Sequence, residues 1–331
     1  MNIQKDLQLY RSRPQKVSWK VPAFCCNDWA ALRLLQICEG ITEEAPYDKV
    51  YGAPRCSWSG GRPSAINKRL SHDELDTYFR AYKTYGVLCA LTLSRLVVPQ
   101  EALSDPYCNL LLDIIEEYEG EAIVYDDTLA AYIRKTHPKI KTVASLNKAM
   151  CDYKHNFEGF TDETAYYYGL LDLYDEIVIR CEYASDDSRL ASLVDVSDRV
   201  EIIVNQFCAP NCKNVYQHLE AIERWNENGQ RGYCQQCFSL EMLSNMETRL
   251  SLNLYMSDAR INEIIDRGFT RMKLAGRNYP VPQFLDMLSH YIFEPTGAIS
   301  IIGNEVIKEY RMEMLKDDSG SGQHRLPELT T

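Results

Sequence analysis

The sequence predicts an α/β protein: a (β/α)8 TIM-like barrel with a cysteine-bearing insertion after its seventh strand. Three observations predict it. Short β-branched runs alternate with amphipathic helical stretches along nearly the whole chain, and eight such units can be counted. No glycine-rich phosphate turn follows a strand, as the competing open, doubly wound sheet would require. The 331 residues suffice for one barrel with its ring of helices.

The units follow in order. Val17 to Phe24 (VSWKVPAF) is the first strand, and Asn27 or Asp28 caps a helix from Trp29 to Cys38. Lys49 to Ala53 is the second strand, followed by a glycine-rich loop and a helix from His72 to Tyr85. Val87 to Leu93 leads into a helix ending near Tyr118, and Ala122 to Tyr125 into a helix that Asp127 caps and Lys135 ends. Lys141 to Leu146 is the fifth strand; an irregular stretch and a helix from Glu163 to Tyr174 follow. Glu176 to Cys181 is the sixth, with a short helix at Ser188 to Leu193, and Val200 to Phe207 the seventh. Asp258 to Asp266 is a helix, Phe269 to Leu274 the eighth strand, and Pro282 to Ile292 the closing helix. The reading gives one barrel domain over residues 1–315, with the insertion at about 208–253. Residues 316–331, of linker composition, form a flexible C-terminal tail.

Thiols mark the insertion. Cys208 stands just past the seventh strand, Cys212 follows, and an amphipathic helix separates them from the C-x-x-C of Cys234 and Cys237. Two close pairs of thiolates are what a closed tetrathiolate site needs. Such a site suits an iron–sulfur cluster or zinc, and ligand type alone does not separate the two. The spacing does not fit C-x-x-x-C-x-x-C, because Val215 stands where the third thiol would be. Four buried, unrelated thiols are the bland alternative.

Composition narrows the class. Apolar residues make up 45% and charged residues 25%, as in an ordinary globular protein. A net charge of −11 disfavours nucleic acid as a partner. The polar start and the lack of a long apolar run predict no secretion signal and no membrane span. Twelve cysteines without such a signal point to a reducing compartment, the cytoplasm.

In a barrel the chemistry sits at the C-terminal strand ends. That rule selects Cys56, Trp58 and Arg62 in the loop after the second strand, Asn147 after the fifth, and Glu182 after the sixth. It adds Asn205 and Gln206 at the seventh, and Lys273 and Arg277 at the eighth. A guanidinium at a strand end can hold a carboxylate or phosphate bidentately, which favours Arg277. Arg62 stands beside Gly60 and Gly61, where backbone can approach an anion, or is a solvated charge. Lys273 either enters the barrel, where it must be paired, or caps the outer layer. Glu182 is the acid/base candidate, with a partner role to a barrel arginine as its alternative. His218 is a helix-start residue or a group beside the thiols. Cys25 and Cys26 have no assigned role; Cys38, Cys89, Cys108, Cys151 and Cys181 read as core, as do the tyrosines near Ala165. H-E-x-x-H, G-x-S-x-G and the P-loop are absent.

The order of four short motifs resembles the collagenase-like peptidase family (peptidase family U-32). They are Val21-Pro22-Ala23-Phe24, Val50-Tyr51-Gly52, Asn205-Gln206-Phe207-Cys208 and Lys273-Leu274-Ala275-Gly276-Arg277, over roughly Val17 to Tyr291. The chain departs from that family in the spacing Cys208-x-x-x-Cys212 and in the Cys234/Cys237 pair. The resemblance implies an iron–sulfur protein on a barrel, with oxygen-independent hydroxylation among the family's activities. With the thiols' own spacing it suggests a [4Fe–4S] cluster held by Cys208, Cys212, Cys234 and Cys237, and the family adds Cys56 as a further candidate. Catalysis would fall to Glu182, Lys273 and Arg277, and binding of a small or medium anionic substrate to Arg62, Trp58, Asn147 and Asn205. The competing readings are a structural-zinc barrel serving as a binding or scaffold subunit for a partner chain, and a peptidase, which a closed thiolate set disfavours.

Overall fold

A computed structural model describes residues 9–42, 44–61, 69–156, 162–206, 208, 212, 214–228, 254–277, 279–295 and 297–317. Eight parallel strands close into a barrel in sequence order: β1 (Ser18–Val21), β2 (Lys49–Gly52), β3 (Leu88–Leu93), β4 (Glu121–Val124), β5 (Lys141–Ala144), β6 (Glu176–Ile179), β7 (Val200–Ile203) and β8 (Arg271–Lys273). Pairing of β8 with β1, Trp19 opposite Met272, completes the ring.

Helices cover the outside because each carries an apolar stripe that only the barrel can bury. They are α1 (Asp28–Glu39), α2 (His72–Thr84), α3 (Pro106–Glu117), α4 (Asp127–Thr136), α5 (Leu146–Asn156), α6 (Glu163–Leu173), α7 (Cys181–Ala184), α8 (Asp187–Ala191), α9 (Val215–Asn228), α10 (Asp258–Asp266), α11 (Val281–Tyr291) and α12 (Gly297–Asp317). Local signals set their starts. Ser71 and Glu74 form a reciprocal capping box at α2, and the Asp105 carboxylate accepts from Tyr107 and Cys108 N–H at α3. At α4 the cap is Asp126, one residue before the expected Asp127.

Three helices depart from the expectation. β5 ends at Ala144, and the stretch read as irregular is α5, so Asn147 lies in a helix. β6 ends at Ile179, and Cys181 and Glu182 open α7 instead of finishing the strand. α12 follows the helix expected to be last, and its Ile302 and Val306 are fully buried. It packs on α1 and α11, with Arg33 Nη2 donating to Glu309 Oε1 at 2.8 Å. Its polar outer face hides it from a reading based on apolar runs. The expected tail therefore cannot begin at residue 316, and residues 318–331 lie outside the described residues.

The interior of the barrel is layered. Period two along a strand puts Lys49 and Tyr51, Glu121 and Ile123, Glu176 and Val178, and Glu201 and Ile203 on the same inward face. The second of each pair joins Ala90 and Val143 in an apolar layer. One pleat below, Lys20, Lys49, Glu121, Glu176 and Glu201 form an ionic layer whose members are all buried. Lys20 Nζ lies 2.9 Å from Glu121 and 2.5 Å from Glu201, Lys49 pairs with Glu121, and Arg271 reaches Glu176 at 2.9 Å. Lys273 joins through Glu201 at 3.1 Å.

Burial would raise the carboxyls, but the lysines outweigh it and hold Glu121 and Glu201 near about 2. Glu176, with burial and the Glu121 charge against it, is pushed up.

Candidate functional site

A cavity of about 350 Å³ opens at the C-terminal ends of the strands. Its floor is the apolar layer, through Tyr51, Ile123 and Ile203. Lys273 and Arg277 enter from the β8 side, Asn147 from the first turn of α5, and Gln206 and Cys208 from the segment after β7.

One wall is unusual for a barrel. α9 follows β7 in the chain, yet it packs on α5 and sends Val215, His218, Leu219 and Ile222 into the cavity lining. Its apolar face meets Leu96, Tyr125 and Met150 from other strand ends. The chain leaves and returns at one point, where Asn205 and Tyr255 form an antiparallel bridge. α9 is thus a cap across the mouth. Glu223 accepts from Leu96 N–H, Asn226 Nδ2 donates to the Gly61 carbonyl at 2.7 Å, and Arg95 pairs with Glu227 at 2.7 Å. Burial pushes the Glu223 carboxyl up to about 7.

Two glycines owe their place to close approach. A Cβ on Gly52 would stand 1.8 Å from the Phe24 carbonyl, so the V-Y-G and V-P-A-F segments fit only with glycine there. A Cβ on Gly61 would stand 1.8 Å from Arg277 Nη2. Gly61 therefore makes room for the Arg277 side chain, whose Nη1 donates to Thr92 Oγ1 at 2.8 Å. The glycine loop serves an arginine, where the sequence suggested a backbone cradle for an anion.

Lys273 sits inside the barrel, its Nζ 4.5 Å from the centre of the Tyr51 ring. Burial lowers its pKa to about 8, with repulsion from Lys20 and Arg277 outweighed in part by Glu201. Gln206 is 2% exposed, and its Oε1 has no hydrogen-bond partner among the described residues. An unsatisfied buried acceptor costs about 1–3 kcal/mol.

Several expected residues stand elsewhere. Glu182 is in α7, outside this cavity's lining, 3.6 Å from Arg180, which is itself held by Glu163 at 2.9 Å. It thus takes its alternative role as partner to an arginine, here Arg180, and among the described residues no acid/base group of β6 lines the cavity. Trp58 is fully buried, and its indole N–H donates to the Ala102 carbonyl at 2.9 Å, so it is core and cannot meet a substrate. Asn205 is also fully buried: its amide both donates to the Ala275 carbonyl (2.9 Å) and accepts from Ala275 N–H (2.6 Å), tying β7 to the β8 exit. Arg62 lies outside the described residues.

The thiols divide. Cys208 and Cys212 are half-buried against the α9 cluster, and Cys208 faces the cavity. Cys234 and Cys237 lie outside the described residues. Cys56 is in a separate cavity of about 230 Å³ with Arg55, Arg69 and Arg95, its Sγ 3.1 Å from Ser59 Oγ. Contact with the Cys108 thiol lowers the Cys56 pKa, and Cys108 in turn bonds Ser57 Oγ at 3.2 Å. Cys56 therefore belongs with Cys108. Among the described residues no group of three or more His, Cys, Asp or Glu could hold a metal ion.

Lys20, Glu201, Tyr51 and Thr92 escaped the sequence reading as functional residues. For Lys20 and Glu201 the signal was a lone charge within a short strand, SWKV and VEII; Tyr51 and Thr92 had none.

Fold and site define a closed (β/α)8 barrel with a capped, cationic pocket at its C-terminal mouth. No family model matches the chain, and no curated protein matches it. Among solved structures it is similar to the U32 peptidase Mk0906, with 14% identity over 83% of this chain and 98% of that one at a TM-score of 0.49. A second similarity is to the family 1 β-glucosidase from Thermotoga maritima, with 10% identity over 86% and 76% of the two chains at a TM-score of 0.18. Among the described residues no helix is long and apolar enough to cross a membrane.

Proposed function

We propose that the protein is a barrel enzyme of the U-32 kind that binds a polar, anionic substrate in the capped pocket, beside a thiolate-ligated centre. One observation carries this reading: Lys273 and Arg277 of the K-x-x-G-R segment line the same cavity. Arg277, oriented by Thr92 and Gly61, supplies the planar cation that a carboxylate or phosphate prefers. Lys273 holds or releases a proton at the cavity floor, and Gln206 lines the wall beside it. α9 covers part of the pocket from above.

The donor chemistry of the mouth suits the expected centre in part. Cys208 and Cys212 would hold one edge of a [4Fe–4S] cluster, or of zinc in the scaffold reading, and Cys234 and Cys237 the other. A cluster, when bound, supplies one-electron chemistry, whereas a closed zinc site supplies rigidity. Purification without oxygen followed by metal and sulfide analysis decides between them. Iron and sulfide with a visible charge-transfer band support the oxidoreductase or hydroxylase reading; stoichiometric zinc supports the scaffold. Serine at Cys208 or Cys237 strips the metal in either case, and metal retained in both variants refutes this ligand set.

A further inference from the structure

We propose that Lys273 captures a carbonyl: the pocket takes a small oxo acid whose carbonyl carbon condenses with Lys273 Nζ while its carboxylate rests on Arg277. This deepens the anion-binding reading above and rests on it. The lysine is built for a nucleophile more than for a simple counter-charge. Its side chain is only 7% exposed, yet it lines the open cavity, with the Tyr51 ring face against Nζ. Its acid is already shared, because Glu201 also holds Lys20 at 2.5 Å. Desolvation and the neighbouring cations Lys20 and Arg277 bring the amine down to about 8, which leaves a neutral fraction near neutrality. Gln206 lines the same cavity, and its buried Oε1 has no partner among the described residues.

The step balances without an oxidant or reductant. The ammonium releases a proton to water in the cavity, and the nitrogen lone pair forms a C–N bond as the carbonyl π pair moves to oxygen. That oxygen takes one proton from the nitrogen and the one first released to water, and leaves as water, so one ammonium and one carbonyl give one protonated imine and one water. The positive charge returns to the same nitrogen, beside Glu201.

The test traps the imine on the full chain. Pyruvate with cyanoborohydride should place a reduced adduct on Lys273 at roughly tenfold or more the level on exposed lysines such as Lys83 and Lys308, as a desolvated amine predicts. Acetone, lacking the carboxylate, should label Lys273 far less, and Arg277→Gln should bring pyruvate down to the acetone level. Because peptide mapping on the wild-type chain locates the adduct, the result does not depend on a Lys273 variant folding. Label that follows surface exposure and spares Lys273 overturns the capture; calorimetric pyruvate binding that still depends on Arg277 would then leave the anion reading standing. Equal labelling of Lys273 by pyruvate and acetone, unaffected by Arg277→Gln, overturns the oxo acid and the anion reading together.

Discussion

Lys20 holds the barrel interior together. Its ammonium lies between the Glu121 and Glu201 carboxylates with 2% of the side chain exposed, so neither acid can turn to water if it is lost. Lys20→Met should destabilise the fold by about 3–5 kcal/mol, since it strands buried charge, and a urea titration measures the loss. The same variant should raise the Lys273 pKa, because Lys20 repels that ammonium. Stability depends on pH through three windows. Glu121 and Glu201 sit near about 2 against an ordinary 4.5, so their stabilisation is present above that range and is lost as pH falls through it. Asp28 runs the other way: burial raises it from 3.8 to about 7, so the folded state binds its proton more tightly and stability rises as pH falls from 7 towards 4. Lys273, lowered from 10.5 to about 8, makes stability rise with pH between those values. Asp28→Asn should flatten part of the slope between pH 4 and 7, to which Glu223 and Glu176 also contribute, and urea midpoints across that range check it. Gly61→Ala should displace the Arg277 guanidinium and weaken pyruvate binding by about tenfold, or ~1.4 kcal/mol, with little change in thermal stability.

α9 draws its stability from a latch of unequal parts. The Arg95–Glu227 pair is half exposed on the acid side, and its removal should cost less than ~1 kcal/mol. Asn226 is buried, and Asn226→Ala leaves the Gly61 carbonyl unpaired. That change should cost about 1–3 kcal/mol and speed proteolysis within 215–228, whereas Arg95→Ala should not, as limited digestion with peptide mapping will show. The helix itself was legible from its amphipathic pattern between the thiols. Its place was not, because periodicity marks an apolar face without saying which surface covers it. α5 and α12 were missed for a related reason: their apolar positions are sparse, and neighbours they meet only in the fold bury them.

Closure of the barrel makes the whole molecule depend on its C-terminal helix. α12 covers α1, the first helix of the ring, and buries Ile302 and Val306. Removing residues 297–317 should expose that apolar face and lower the melting temperature by several degrees, with concentration-dependent aggregation, measured by thermal scanning and light scattering. The eight strands were readable in number, order and starting point, though several ends were read two to four residues too long, and with them the end of the barrel that carries the pocket. Lys273 and Arg277 were legible as candidates because a strand-end rule needs only the strand. Glu182, Trp58 and Asn205 satisfied the same rule but turn to Arg180, Ala102 and Ala275. The sequence by itself determined the alternation of strand and helix, hence the parallel ring, since those periodicities are local and every turn agrees with them. Only the tertiary structure decided that lone charges on separate strands meet in one buried layer, that a helix after β7 caps the mouth, and that Gly61 exists to seat Arg277. Each of those is a contact between residues far apart in the chain, which no local pattern encodes.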